Sequence, residues 1–428
     1  MDIAAIYSVY QKANKVCTDT RALEKNDLFF ALKGDHFDGN QYAIAALEKG
    51  ALAAVVDDPE LKAIPNCIWV PNVLSTLQAI ALYHRRRFTI PFLAITGSNG
   101  KTTTKELVQR VMAQKYTAFA TKGNLNNHIG IPLTLLSIPE SCTFAIIEMG
   151  ANHQGEIASY CRYTEPDFGL ITNIGKAHLE GFGGLSGVRK GKGELYDFLK
   201  SQEQLIFLNM RQVALIEMMR EKGLVRVQAY GQDQTEDAVK LIAEQPFIQY
   251  ETLGKQIETN LSGVYNFENI VTAIAVGRYF QVPEEAIHAA IASYAPDNNR
   301  SQWMRIGEDT FLLDAYNANP SSMRAAIESF RQYPATQKGL VLGDMLEMGE
   351  AATMEHRAIA QLIMEGGFQQ VFLCGPLMKT AADLIPNSFW AKDVDELKMV
   401  WQEHKLNAAH WLIKGSRGMK LERLLPSQ

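Results

Sequence analysis

A lysine and a hydroxyl set directly after a glycine turn are residue types that hold phosphate, and residues 92–106, FLAITGSNGKTTTKE, contain them. An apolar run leads into Gly97, Ser98, Asn99, Gly100, Lys101, Thr102 and Thr103, and a helix-ready segment follows. Backbone N–H groups of a loop before a helix N-terminus favour phosphate oxygens. Lys101 can neutralise terminal phosphates, and the Thr102 hydroxyl can ligate Mg²⁺. Gly97 and Gly100 permit the tight turning. The common phosphate-loop signature also has a glycine five residues before Gly100, where this chain has Ile95.

Other residues could complete such a site. FAIIEMGAN ends an apolar run in Glu148. An unpaired carboxylate is costly in a core, so Glu148 belongs at the carboxyl end of a strand, where open α/β sheets bind ligands. Beside Thr102 it is a candidate metal ligand. ITNIGKAHLEGFG places His178 just past another strand, although a lone histidine is more often structural. GVRKGKGELYDF offers Lys190 and Lys192 in a helical run, and by themselves these read as solvated lysines. TKGNLNNHIGIP groups Asn124, Asn126 and Asn127, amides that either close turns on nearby backbone or face a polar substrate.

These residues need a framework. A chain of 428 residues suits two or three domains. Residues 1–87 contain short strands at DLFFALKG, AAVVDD and CIWVPN and a helix around YAIAALEKG. Residues 88–297 contain buried-type strands at 92–96, 144–150, 168–174 and 204–209, separated by helical stretches, the pattern of a parallel sheet with crossover helices. Within that block LVRVQAYG, AVKLIAEQ, FIQYETLG and KQIETNL read as an antiparallel extension, followed by a helix at FENIVTAIAVGRYF. The polar stretch APDNNRSQ marks a boundary, and residues 298–428 form a second α/β unit with strands at FLLDAY, GLVLGDM, QVFLCG and HWLIKG.

The net charge of −5 argues against a nucleic-acid binder. Arg85-Arg86-Arg87 is the one dense basic run and reads as a solvated helix end or linker. Five scattered cysteines without a CxxC pair suggest reduced thiols in the cytoplasm. The first residues lack the features of a signal peptide, and no apolar run approaches the roughly 20 residues of a membrane span. A soluble cytoplasmic protein with no membrane insertion, and a monomer, is expected.

Taken together, TGSNGKTTT, GNLNNHIGIPLT, EMGA, NIGKAHLE, KGKGE, GVYNFEN and DAYNANPSSM resemble the Mur ligases, which build the peptide of the cell-wall precursor. The resemblance covers nearly the whole chain, and the family's short TGxxGKT loop accounts for Ile95. It implies an α/β chain of three domains. These are a small N-terminal α/β UDP-sugar domain, a central P-loop domain with a mostly parallel sheet and an antiparallel extension, and a C-terminal Rossmann-like α/β domain. DAYNANPSSM, LGDMLEMGE and KGSRGM point more narrowly to the member that adds D-alanyl-D-alanine to UDP-N-acetylmuramoyl-tripeptide.

The resemblance also implies roles. Gly97 to Thr103 would bind ATP, with Lys101 catalytic. Thr102 and Glu148 would ligate one Mg²⁺ and His178 a second. Lys192 matches a lysine that relatives carbamylate into an anionic metal ligand, with Lys190 as the alternative. Asn266 and Asn269 would lie on the adenine side, and Arg300 and Asp314 would meet phosphate and ribose. Asn124, Asn126 and Asn127 form a substrate loop, while Asn317, Asn319 and Ser321 face the dipeptide or the nascent bond. In the N-terminal motif TDTRALEKNDLFFALKGDHFDGNQY, Thr20 stands where serine is common. The same motif has DGN where DGH is common, which leaves a sugar-nucleotide contact at Asn40 open.

Rival readings are weaker. The ligase for the third amino acid carries a DNPR-like motif that this sequence lacks. Folylpolyglutamate synthase would not have DAYNANP. A nucleotide switch needs no amide-forming chemistry, and nothing favours the hydroxyl acceptor of a kinase.

Overall fold

Strand Phe92–Thr96 explains much of the architecture. Its side chains alternate between two cores, Phe92 and Ala94 in one and Leu93 and Ile95 in the other, as a strand covered on both faces must. The computed structural model describes residues 2–407 and 409–426. In it, Phe92–Thr96 lies inside a six-stranded parallel sheet, between Phe168–Ile171 and Phe144–Glu148. Beyond Phe144–Glu148 comes the edge strand Ala118–Ala120. Beyond Phe168–Ile171 come Leu205–Asn209 and then Val227–Tyr230. The chain fills one side of Phe92–Thr96 first and then crosses to the other, so a crevice opens at its carboxyl end, where open sheets bind ligands.

Val227–Tyr230, expected in the antiparallel extension, pairs parallel with Leu205–Asn209 after the crossover helix Val213–Lys222. The extension is a separate antiparallel sheet of Lys240–Ala243, Gln249–Thr252 and Lys255–Glu258.

The N-terminal sheet is parallel, in the order Val16–Cys17, Leu28–Phe30, Ala53–Val56 and Cys67–Trp69. Its inner side chains Leu28, Phe30 and Val55 share one continuous apolar core with Ile131, Leu135 and Tyr160 of the central block. Helix Val73–Arg85 forms this seam, packing on helices Gly130–Leu136 and Glu156–Thr164. The basic run at its end is therefore not simply a solvated helix end. Arg85 is buried, with its guanidinium donating to Thr164 O and Glu165 O at 2.8 Å each, pairing with Asp167 at 3.1 Å and lying over the Phe92 ring.

The C-terminal sheet runs Gln302–Ile306, Asp309–Asp314, His410–Lys414, Lys338–Gly343, Gln370–Cys374 and Phe389–Ala391. Only the first pairing is antiparallel. The segment between residues 295 and 301 joins it to the central block without helix or strand. All five cysteines are free thiols, and among the described residues no helix is long and apolar enough to cross a membrane.

Candidate active site

Between the central and C-terminal blocks lies a cleft of about 420 Å³. Of the residues predicted for the site, all line it except Gly97, Lys192 and Ser321.

The glycine loop forms its floor. Gly97 and Gly100 have φ of +143° and +78°. A Cβ on Gly97 would lie 1.9 Å from Thr172 Oγ1, and one on Gly100 would lie 2.5 Å from Asn269 Oδ1. Both glycines are thus required by conformation and by space. The strand end at Thr172–Gly175 supports the loop. Ser98 N donates to Asn173 O at 3.0 Å, and Asn99 N donates to Asn173 Oδ1 at 3.0 Å. Ser98 Oγ also bonds Gly175 O. These bonds occupy the Ser98 and Asn99 N–H groups, so a phosphate would meet those from Gly100 to Thr103, at the start of helix Lys101–Met112. Asn173 was not foreseen from sequence; its signal was a polar Thr-Asn pair directly after an apolar strand.

Lys101 curls over the loop, its Nζ donating to Gly97 O at 2.7 Å and Ser98 O at 3.2 Å. Desolvation lowers its pKa to about 8, with Glu148 opposing the shift and Arg300 adding to it.

Glu148 is 1% exposed at the end of its strand. Its Oε1 accepts from Asn126 Nδ2 at 2.7 Å and from the Thr102 hydroxyl at 3.2 Å. Its Oε2 is buried with no partner. An unpaired buried carboxylate oxygen costs about 1–3 kcal/mol or more, so this one is held for a ligand. A hard cation that keeps several waters and takes only one or two protein oxygens fits Glu148 and Thr102. Among the described residues no group of three or more His, Cys, Asp or Glu side chains forms a ready metal cage.

His178 stands at the N-cap of helix Leu179–Phe182, and Lys192 lies over the ring of Phe182 at its other end. The His178 Nδ1 hydrogen-bonds Glu347 of the C-terminal block. Lys192 is 1% exposed, its Nζ donating to Ala151 O at 3.0 Å above the Phe182 ring. The solvated reading of Lys192 is therefore corrected, while Lys190, two positions along the same helix, is exposed. Burial, reinforced by Lys101, drives the Lys192 pKa well down and favours its neutral amine.

The asparagines divide. Asn126 serves Glu148. Asn127 Oδ1 accepts from Gly130 N at 2.8 Å, closing the turn before helix Gly130–Leu136. Asn124 is exposed at the rim. Asn269 accepts from Thr104 Oγ1 and donates to Asn266 Oδ1, each at 3.0 Å.

On the facing wall Asp314 pairs with Lys414 at 2.5 Å and accepts from Ser301 N. The Arg300 guanidinium lies 3.7 Å from the centre of the Tyr316 ring, and its Nε is buried without a partner. Asn317 Oδ1 accepts from Ala318 N. Asn319 caps helix Pro320–Gln332 with its carbonyl and donates to Asn99 Oδ1 at 2.7 Å, so its amide serves structure in this arrangement. Ser321 Oγ accepts from Lys176 N. Lys414 and Tyr316 were missed from sequence, although Lys414 ends a strand in direct register with Asp314.

A second hollow lies in the N-terminal block, lined by Thr18, Thr20, Arg21 and the stacked, exposed Phe37 and Tyr42. Asn40 does not reach it. It is buried, donating to Asp38 and Asp57 and accepting from Asp57 N and Asp58 N.

Comparison with known proteins gives the same outline. Family models described as "Mur ligase family, catalytic domain", "Mur ligase middle domain" and "Mur ligase, glutamate ligase domain" match residues 12–89, 95–277 and 299–417. The UDP-N-acetylmuramoyl-tripeptide--D-alanyl-D-alanine ligase of Rickettsia prowazekii is 32% identical over 96% of this chain and 94% of that protein. The protein of the same name from Bacillus subtilis is 33% identical over 96% and 92%. A crystal structure of MurF from Acinetobacter baumannii superposes with a TM-score of 0.87 at 26% identity, covering 99% of this chain and 97% of that one.

Proposed function

The chain belongs to the Mur ligase family, and from that premise we infer that it joins D-alanyl-D-alanine to UDP-N-acetylmuramoyl-tripeptide, driven by ATP. The observation that carries the reading is Glu148 Oε2, buried and unpartnered beside the Thr102 hydroxyl at the mouth of a phosphate loop.

The tripeptide carboxylate attacks the γ-phosphorus of ATP, ADP leaves, and an acyl phosphate forms. The dipeptide amine, as its free base, then attacks the acyl carbon, phosphate departs with the C–O bond pair, and the nitrogen gives up one proton to solvent. The N–H groups of Gly100 to Thr103 and the Lys101 ammonium meet the phosphoryl oxygens. Thr102 and Glu148 would hold one Mg²⁺, and His178 with Lys192 a second. Such ions neutralise charge between two anionic reactants that otherwise repel. Lys192 as a neutral amine can take up CO₂ and release a proton, becoming a carbamate. Its burial and depressed pKa support that step over the exposed Lys190.

Asn266 and Asn269 face adenine, Arg300 the phosphates and Asp314 the ribose. Asn124, Asn126 and Asn127 would receive the tripeptide, and Asn317, Asn319 and Ser321 would face the dipeptide or the nascent bond. The hollow with Phe37 and Tyr42 takes the UDP end, since stacked rings suit a base and Arg21 suits phosphate. One chain supplies both walls of the cleft, so a monomer suffices. The reaction belongs to the cytoplasm, where ATP is supplied and free thiols persist.

Phosphate release measured with a panel of UDP-peptides and dipeptides tests the reading. Release should require both UDP-N-acetylmuramoyl-tripeptide and D-alanyl-D-alanine. Release that ignores either one contradicts it and favours a nucleotide switch.

A further inference from the structure

His178 and Glu347 are 169 residues apart, yet their side chains meet where the central block abuts the C-terminal one. Both residues hold left-handed backbone conformations, with φ of +52° and +60°. Histidine is tolerated there and glutamate rarely is. Facing residues keep such conformations only where their surroundings over-determine them, and these outliers cluster at functional sites.

The surroundings do fix them. Lys176 N donates to Ser321 Oγ at 3.2 Å, and Lys176 Nζ pairs with the nearly buried Glu355 at 2.5 Å. Glu180 N donates to Glu347 O at 3.4 Å. Four contacts therefore dock residues 176–180 on the C-terminal block, and the His178–Glu347 bond is the one that reaches a residue lining the cleft.

An ionised carboxylate can only accept, so in this pair Nδ1 carries the proton, and in the neutral ring Nε2 keeps its lone pair. We propose that Glu347 is a positioning residue. It fixes the Nδ1–H tautomer and ring orientation of His178, and it does so only while the C-terminal block is docked. The unprotonated Nε2 is the atom a cation would take, and a carboxylate behind a ligating histidine is a common way to orient it. The proposal rests on the ligase reading only for what Nε2 touches. It makes His178 competent when the block that carries Arg300 and Asp314 is also in place.

The test uses the full chain with ¹⁵N-labelled histidine rings, without nucleotide, at a pH where the rings are neutral. Long-range ¹H–¹⁵N correlations report the tautomer, and loss of one set of peaks in His178→Ala assigns His178. The wild-type protein and Glu347→Gln, whose amide oxygen still accepts, should show the Nδ1–H pattern. Glu347→Ala should show the Nε2–H pattern or an average of the two. In ligation assays Glu347→Ala should raise the Mg²⁺ concentration for half-maximal rate by about 10- to 100-fold, with Glu347→Gln recovering most of it. A wild-type Nε2–H tautomer, an unchanged pattern in Glu347→Ala, or equal losses in the Ala and Gln variants would overturn the proposal. If the tautomer follows Glu347 but no dipeptide is joined under any condition, the positioning pair stands and the ligase reading alone fails.

Discussion

The N-terminal block meets the central one through Leu28, Phe30, Leu77, Ile131 and Leu135, all within one apolar core, with Arg85 the charged group sealed into it. The C-terminal block meets the central one through Asn99–Asn319, Lys176–Glu355, His178–Glu347 and Glu106–Asn298, with Leu179 packing on the cores of both. The first seam is a core and has no reason to open. The second is mostly made of polar groups that exchange partners readily with water or ligand, with Leu179 and the Phe247–Trp303 ring contact its apolar points, and relative motion is the default for such interfaces. The candidate chemistry lies at the second seam, where polar side chains can leave one another for a nucleotide. The first seam instead holds the N-terminal hollow at a fixed distance from it.

The largest effect should come from the polar seam. Lys101→Ala should lower turnover by more than about 10²-fold while leaving the fold intact, because its ammonium meets developing phosphoryl charge and packs in no core. Near-normal turnover of the folded variant at saturating ATP would remove the phosphate-loop assignment. Lys192→Ala should cost at least about 10-fold and regain part of that with added short carboxylic acids, which can occupy the vacated anion site. Lys190→Ala should change little. The reverse ranking would move the carbamate to Lys190.

At the apolar seam the readout is stability. Arg85→Ala strands the carbonyls of Thr164 and Glu165 and should cost about 1–3 kcal/mol in denaturant unfolding, with turnover per folded molecule unchanged. A change confined to turnover would show that this seam moves during the reaction. The smallest effect is expected on the outer wall of the cleft. Asp314→Ala should weaken ATP affinity by about 10-fold, the loss of one charge-assisted hydrogen bond, besides the stability lost by leaving the buried Lys414 without its carboxylate. ATP with the tripeptide substrate should compact the protein in small-angle scattering, and Asp314→Ala should weaken that compaction. An unchanged radius of gyration with ligands bound would make the polar seam as rigid as the apolar one.

What could be read in advance follows how local each feature is. The glycine loop and Glu148 lie within a few residues of the strands that present them, and both were legible. Val227–Tyr230 was misplaced because a short edge strand with mixed burial looks the same whether it joins a parallel or an antiparallel neighbour. Strands Ala118–Ala120 and Phe389–Ala391 are too short to leave a pattern. Arg85 read as solvated because its acceptors lie about 80 residues away. Lys190 and Lys192 share a sequence neighbourhood, but on a helix two positions turn a side chain from one face toward the other, and only packing decides which is buried. Asn319 lines the cleft where a substrate contact is expected, but the use of its amide to cap a helix and hold Asn99, 220 residues away, left no local pattern.

The central claim is that the cleft transfers the γ-phosphoryl group of ATP to a substrate carboxylate before the amide bond forms. UDP-N-acetylmuramoyl-tripeptide with ¹⁸O in its reacting carboxylate, turned over with ATP and D-alanyl-D-alanine, tests this most directly by mass spectrometry of the products. The account predicts one ¹⁸O in the inorganic phosphate released per amide bond formed, and none in ADP. Phosphate free of the label, or label recovered in AMP, would contradict it.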